Sequence, residues 1–270
     1  MLRNILRRAG GVLFAWRSYT FLLLVPLFAL EVRHLARPWG SHRADEAWEI
    51  ICLAVALAGQ AVRVITVAFV PKGTSGRNTA SQKAASLNCT GLYSIVRNPL
   101  YIGNYLILAG ITLLWQSWEL VVINSLLFAA VYLPIILVEE AFLLRQFGRE
   151  YRDYAARVPC VLPRPRLWVS PDRPGDWRMV LRREHDSVLS IVVSFTVLTH
   201  IRDYLILKQL HPPKQFHFDR EWLIACAIVT AAWIIIKILK KTTRLLKTPD
   251  NPAPADKYGV EIRPLGRNNG

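Results

Sequence analysis

Residues 91–110 read GLYSIVRNPLYIGNYLILAG. The stretch opens as a polar turn and ends as the start of an apolar helix, with Arg97, Asn98, Pro99 and Tyr101 at the junction. Proline suits a first helical turn, where its missing N–H costs nothing and its φ is already helical, so a helix is expected to begin near Asn98 or Pro99. Such an end, with the fork-shaped charge of Arg97 beside it, attracts anionic groups. Tyr101 offers a ring and a hydroxyl within the first turn, and Gly103 permits close approach of a ligand or another helix. Taken as structure alone, the same residues are a snorkelling arginine, a helix-starting proline and an interfacial tyrosine.

Outward from this stretch, the 270-residue chain is 53% hydrophobic yet carries a net charge of +15, so apolar and charged residues must be segregated. Apolar windows near the length that crosses about 30 Å of hydrocarbon fall at 12–30, 47–70, 99–115, 118–142, 187–207 and 221–239. They predict an all-α, polytopic integral membrane bundle of about six transmembrane helices. The first window is long and lacks a small-x-small site before Glu31, so it reads as a retained helix. Basic residues concentrate at the N-terminus, in the loop after the second span, in 145–186 with its ten arginines, and in the tail after the last span. By the positive-inside tendency these regions and both termini are cytoplasmic, in a membrane of bacterial inner-membrane type. The turn around Trp115, Gln116, Ser117 and Trp118 has no basic residue and predicts a tight outer hairpin with interfacial tryptophans. Topology and attraction to anionic headgroups account for the positive charge, and no basic element sits in a soluble domain that would bind nucleic acid.

The chain divides into two N-terminal helices (1–70), a core of inner loop, hairpin and motif-bearing segment (71–165), a basic linker with a C-terminal hairpin (166–247), and a disordered tail (248–270). Cys52, Cys89, Cys160 and Cys226 are scattered without a paired spacing, so neither a disulfide framework nor a metal site is expected. His185, His200, His211 and His217 lack ligand-like spacing and read as interfacial or loop histidines.

Glu139 and Glu140 close a run of mostly apolar residues at the inner end of the fourth span. Ionisable groups there are costly and mark function. Adjacent helical positions point about 100° apart, so the two carboxylates serve different tasks. The hairpin of the third and fourth spans brings them near Arg97–Tyr101, where an ion pair with Arg97 could simply staple the hairpin.

Three ordered motifs then carry a resemblance: R-x-P-x-Y-x-G at 97–103, the pair Glu139–Glu140, and F-G-x-x-Y-x-x-Y-x-x-x-V-P from Phe147 through Tyr151 and Tyr154 to Pro159. Together they resemble the isoprenylcysteine carboxyl methyltransferase and phospholipid methyltransferase superfamily over about residues 55–165. The resemblance implies an S-adenosylmethionine-dependent methyltransferase, with the cofactor at the cytosolic face and a lipid or lipidated acceptor entering from the bilayer. Its cofactor segment falls on Asn98, Pro99, Leu100 and Tyr101, its preceding tyrosine on Tyr93, and its upstream backbone-binding stretch on Ala85–Asn88, including Leu87 and Asn88. Arg97, Gly103, Tyr151 and Tyr154 complete the implied cofactor pocket, and Arg97, Glu139 and Glu140 are the implied catalytic residues. Asn98 stands where eukaryotic members have His, so this position cannot titrate. Ile135 stands where the family has a substrate-associated Arg, which points away from a prenylcysteine carboxylate as acceptor.

Methyl transfer from a sulfonium needs an acceptor lone pair held in line with the S–CH3 bond, and positioning in a dry pocket supplies most of the acceleration. An amine acceptor would also need a base, for which either glutamate is available. Two readings stand beside this one: an NADPH-dependent membrane sterol or steroid reductase with a similar R-H-P-x-Y-x-G segment, and a non-catalytic membrane scaffold.

Overall fold

The computed structural model describes residues 24–31, 42–71, 86–209, 216, 218–243 and 245–246, together with Leu13. Most of the first apolar window, Ala85, His211, His217 and the tail 248–270 lie outside the described residues. The described elements are α1 (Leu24–Glu31), α2 (His42–Phe69), α3 (Leu92–Ile95), α4 (Pro99–Leu113), α5 (Trp118–Arg157), α6 (Trp177–Gln209) and α7 (Arg220–Thr242), with a 3-10 turn at Pro165–Leu167. No strand occurs among the described residues; the nearest approach is an antiparallel bridge between Gly91 and Val169.

Four helices are long and apolar enough to cross a membrane, over Arg43–Phe69, Trp118–Arg157, Trp177–Lys208 and Arg220–Thr242. The predicted third span is shorter than expected. α4 has 15 residues, about 22 Å at 1.5 Å per residue, against about 30 Å of hydrocarbon. Both of its ends are set by local chemistry. Pro99 starts it, and at the far end Gln116 turns the chain with φ 59°. Ser117 then caps α5 by accepting from Leu120 N.

The C-terminal end of α4 is tied down by side chains. Trp48 Nε1 donates to Leu113 O at 2.9 Å and Arg202 Nη1 to Leu114 O at 3.0 Å. Trp115 is no interfacial anchor: it is 3% exposed and packs edge-on to Phe28 at 5.1 Å, with Leu120 and Ile206 beside it. Trp118 alone of the pair faces outward.

The helices pack in a row, α5 on α4, α4 on α2, α2 on α6 and α6 on α7. The α2–α4 contact is the closest, and glycine makes it possible. A Cβ on Gly110 would lie 2.6 Å from Cys52 O, and one on Gly59 would lie 2.6 Å from Gly103 O. Small residues that let helix backbones approach are the usual basis of packing in lipid, where apolar burial alone does not drive association.

Two helix boundaries depart from the apolar windows. α6 starts at Trp177, ten residues ahead of its window, because Asp176 caps it: Oδ1 accepts from Met179 N at 3.0 Å. Much of the basic linker is therefore helix. α5 runs past Glu140 to Arg157 but breaks at Gly148, which has φ 52° and ψ −115°, a conformation open essentially to glycine. The break redirects residues 149–157 back under α4.

Candidate active site at the mouth of α4

Two adjacent carboxylates of α5, two turns before its break at Gly148, are held by two different side chains. The Tyr101 hydroxyl donates to Glu139 Oε1 at 2.8 Å. Arg97 Nη2 lies 2.9 Å from Glu140 Oε1. The divergence expected of neighbouring helical positions is thus used, one glutamate per partner. Tyr101 is also fixed from behind, its ring 4.8 Å from that of Tyr132, which in turn stacks on Phe128 at 4.1 Å.

The segment beyond Gly148 wraps the mouth. Arg97 Nη1 donates to Ala155 O at 2.8 Å and Arg97 N to Pro159 O at 2.9 Å. Asn98 Nδ2 donates to Cys160 O at 3.1 Å, Tyr154 OH to Tyr93 O at 2.8 Å, and Arg164 N to Ile95 O at 2.9 Å. Tyr151 and Tyr154 are buried, with Leu87 and Cys89 packed on them. The structure therefore gathers Leu87, Tyr93, Arg97, Asn98, Tyr101, Glu139, Glu140, Tyr151 and Tyr154 into one region. Pro99 is buried at the start of α4, and Leu100 packs toward Val67 and Val180 rather than toward the glutamates.

Three details of the mouth refine the sequence reading. Asn98 is the N-cap of α4 but makes no side-chain cap; its amide goes to Cys160 instead. Pro99 lacks an N–H, and Tyr101 N and Ile102 N both donate to Asn98 O, so the helix end itself offers little to an anion. The Arg97 guanidinium is the cation beside it, and its Nε is buried with no hydrogen-bond partner. Gly103 faces α2 rather than the mouth: a Cβ there would meet Arg63 Cγ at 2.5 Å and Gly59 O at 2.8 Å.

Burial pushes the Tyr93 phenol above its ordinary range, helped by the nearby charge of Glu139, so it is a neutral donor. Burial likewise raises the Cys160 thiol and pushes the Cys89 thiol up to about 11. Neither is an activated nucleophile. For Arg97, burial opposes the charge but contacts with Cys160 and Glu140 outweigh it and hold the guanidinium charged.

Some site residues had no sequence signal. Cys160 Sγ is 3.4 Å from Asn98 Nδ2. Tyr93 packs on the apolar cluster that includes Met179 and Val180 of α6, which brings the C-terminal hairpin to the site. Behind the mouth, Arg63 of α2 meets Glu184 of α6 through two contacts, Nε–Oε2 at 2.8 Å and Nη2–Oε1 at 2.9 Å. Gln60 Nε2 adds a bond to Glu184 Oε2 at 3.2 Å, and Arg63 Nη1 reaches Asn104 Oδ1 on α4. Helical spacing within each segment gives no means of pairing residues 121 positions apart. Ile135, at the position of the family arginine, is fully buried among Val131 and Tyr132. Among the described residues no group of three or more His, Cys, Asp or Glu is placed to hold a metal ion.

Residues 48–150 match the phospholipid methyltransferase family. The nickel-cobalt-cadmium resistance protein NccN of Alcaligenes xylosoxydans xylosoxydans is 30% identical over 155 residues, 57% of this chain and 66% of that protein. The cobalt-zinc-cadmium resistance protein CzcN of Cupriavidus metallidurans is 30% identical over 131 residues, 48% of this chain and 58% of that protein. The protein-S-isoprenylcysteine O-methyltransferase of Schizosaccharomyces pombe is 32% identical over 73 residues, 27% of this chain and 31% of that protein. The chain thus spans less than two thirds of the length of each of these curated relatives. No solved structure is a significant match. The matched segment contains Arg97, Tyr101 and both glutamates in the arrangement just described, and over that segment the chain is similar to the phospholipid methyltransferase family, with a shorter similarity to an isoprenylcysteine O-methyltransferase.

Proposed function

We propose that the protein is an S-adenosylmethionine-dependent methyltransferase whose acceptor is a lipid or lipid-like molecule of the bilayer. The observation that carries this reading is the convergence of three motifs, far apart in sequence, on one mouth where Tyr101 holds Glu139 and Arg97 holds Glu140. The residues present fit the cofactor. A buried arginine nitrogen without a partner suits its carboxylate, and a carboxylate oriented by a tyrosine suits its cationic amino group and sulfonium. When bound, S-adenosylmethionine supplies the electrophilic methyl group.

The protein's own residues do the rest. Glu139 complements positive charge at the mouth. Arg97 both binds an anion and keeps the 155–160 segment closed, which limits water at the reacting end. Tyr93 and Tyr151 give aromatic walls. An acceptor that must lose a proton finds a carboxylate within the same cluster. With Ile135 buried where the family carries an arginine, no cation at that position waits for an acidic acceptor. The basic residues near the ends of α5, α6 and α7 support a mouth and termini on the cytoplasmic side of a membrane of bacterial inner-membrane type.

Calorimetric titration of the purified protein is the test. Binding of S-adenosylhomocysteine without binding of NADPH is expected. Binding of NADPH alone overturns the reading in favour of a reductase, and binding of neither in favour of a scaffold.

A further inference from the structure

We propose that the inner ends of α2, α6 and α7 form a binding site for an anionic phospholipid, separate from the α4 mouth. A cavity of about 210 Å³ lies between these three helices, walled by Val64 of α2, Val188 of α6, and Val229, Ala232 and Ile236 of α7. It extends along α6 from Val180 to Val188, about 12 Å of helix. Water would gain few partners on such walls, whereas an acyl chain matches them.

The exception is His185. It lines the cavity, its side chain is 1% exposed, and neither ring nitrogen makes a hydrogen bond of full geometry, the Leu181 backbone one turn back being a partial partner. The closest charge, Asp186 Oδ1, is 3.3 Å from Nε2 but is already engaged by Trp233 Nε1 at 2.9 Å and by Lys237 Nζ at 3.4 Å. Glu184, on the same wall, is committed to Arg63 and Gln60. A buried and incompletely satisfied polar group at this depth has room for a partner from outside the chain. The ester carbonyl or a headgroup hydroxyl of a lipid supplies one.

The rim decides the headgroup. Arg178 and Arg182 lie one turn apart at the start of α6, and Lys237, Lys240 and Lys241 lie in the last turns of α7; Lys240 Nζ reaches Arg182 O at 3.2 Å, while Arg182 Nη1 donates to Leu246 O at 3.2 Å. Asp186 is the acid beside Lys237 and His185, and Glu184 is neutralised by Arg63. The surplus is positive. A basic rim over an apolar slot between transmembrane helices is the arrangement that recognises anionic headgroups. Arg178 to Asp186 and all of α7 lie outside the family-matched residues 48–150, so this site stands whether or not the mouth transfers methyl groups.

Native mass spectrometry of the full-length protein with equimolar phosphatidylglycerol and phosphatidylcholine tests the proposal. Retention of phosphatidylglycerol should exceed that of phosphatidylcholine by at least about fivefold, the effect of one lysine near a headgroup. Lys237→Gln with Lys240→Gln should abolish the preference while leaving the cavity intact. Ala232→Phe should fill the cavity and reduce retention of both lipids. Equal retention of the two lipids by the parent protein, or a preference that survives the lysine substitutions, overturns the site. Undiminished retention in folded Ala232→Phe protein overturns the seating of a chain in the cavity.

Discussion

Tyr101 and Arg97 sit four residues apart and each takes one of two adjacent glutamates, so the two carboxylates are separable by substitution. Glu139→Gln is expected to weaken S-adenosylhomocysteine by about 1.5–3 kcal/mol, the loss of a charge-assisted contact. Glu140→Gln should leave that affinity nearly unchanged but loosen the 155–160 segment, read as faster proteolysis there. Titration of both variants decides the matter: a loss confined to Glu140→Gln reverses the assignment, and no loss in either makes the pair a staple of the hairpin. The pairing of a glutamate with the α4 mouth was legible in the sequence, because a hairpin must set its two inner ends side by side. The division of labour was not. It depends on the rotation of α5 about its axis, which packing at Tyr132 and Ile135 sets.

At the scale of elements, the α4–α5 hairpin, the α6–α7 hairpin and the chain's all-helical class follow from the apolar windows. The misplaced boundaries share one cause, since an apolar window marks where lipid contact ends and not where hydrogen bonding ends. Asp176 and Gly148 end or begin helix by cap and backbone geometry in polar sequence, out of reach of a hydropathy reading. Gly103 was read as a place of close approach, and the approach is that of α2. The same contact yields an expectation for Gly110→Ala. Its new Cβ would meet a backbone carbonyl, which cannot swing away as a side chain can, so α2 and α4 must separate. Overpacking of this kind costs about 1–3 kcal/mol. A lowered midpoint in thermal unfolding of the detergent-solubilised protein checks it, with exposed Ala58→Leu as the control expected to be silent.

Across the whole molecule, the C-terminal hairpin is joined to the segment 48–150 by a charged pair inside apolar surroundings. The Arg63 and Glu184 side chains are 14% and 3% exposed. Glu184→Ala would strand the arginine, a loss of about 3–5 kcal/mol, whereas Arg63→Met combined with Glu184→Leu replaces the pair with apolar volume and should restore most of the stability. An unchanged unfolding midpoint in Glu184→Ala would show that α6 is held to α2 by packing alone. The sequence could not supply this join, which links residues on helices that are neither neighbours in the chain nor part of one motif.

The shortness of α4 has a consequence for the bilayer. With its far end fastened by Trp48 and Arg202 at one face, a helix of about 22 Å stops about 8 Å short of the other face of a 30 Å hydrocarbon layer. Mismatch of this size is relieved by local thinning of the leaflet. Lipid headgroups beside α4 would then dip toward Arg97 and Tyr101, and a membrane-bound acceptor could present its polar end to the mouth without being lifted out of its leaflet.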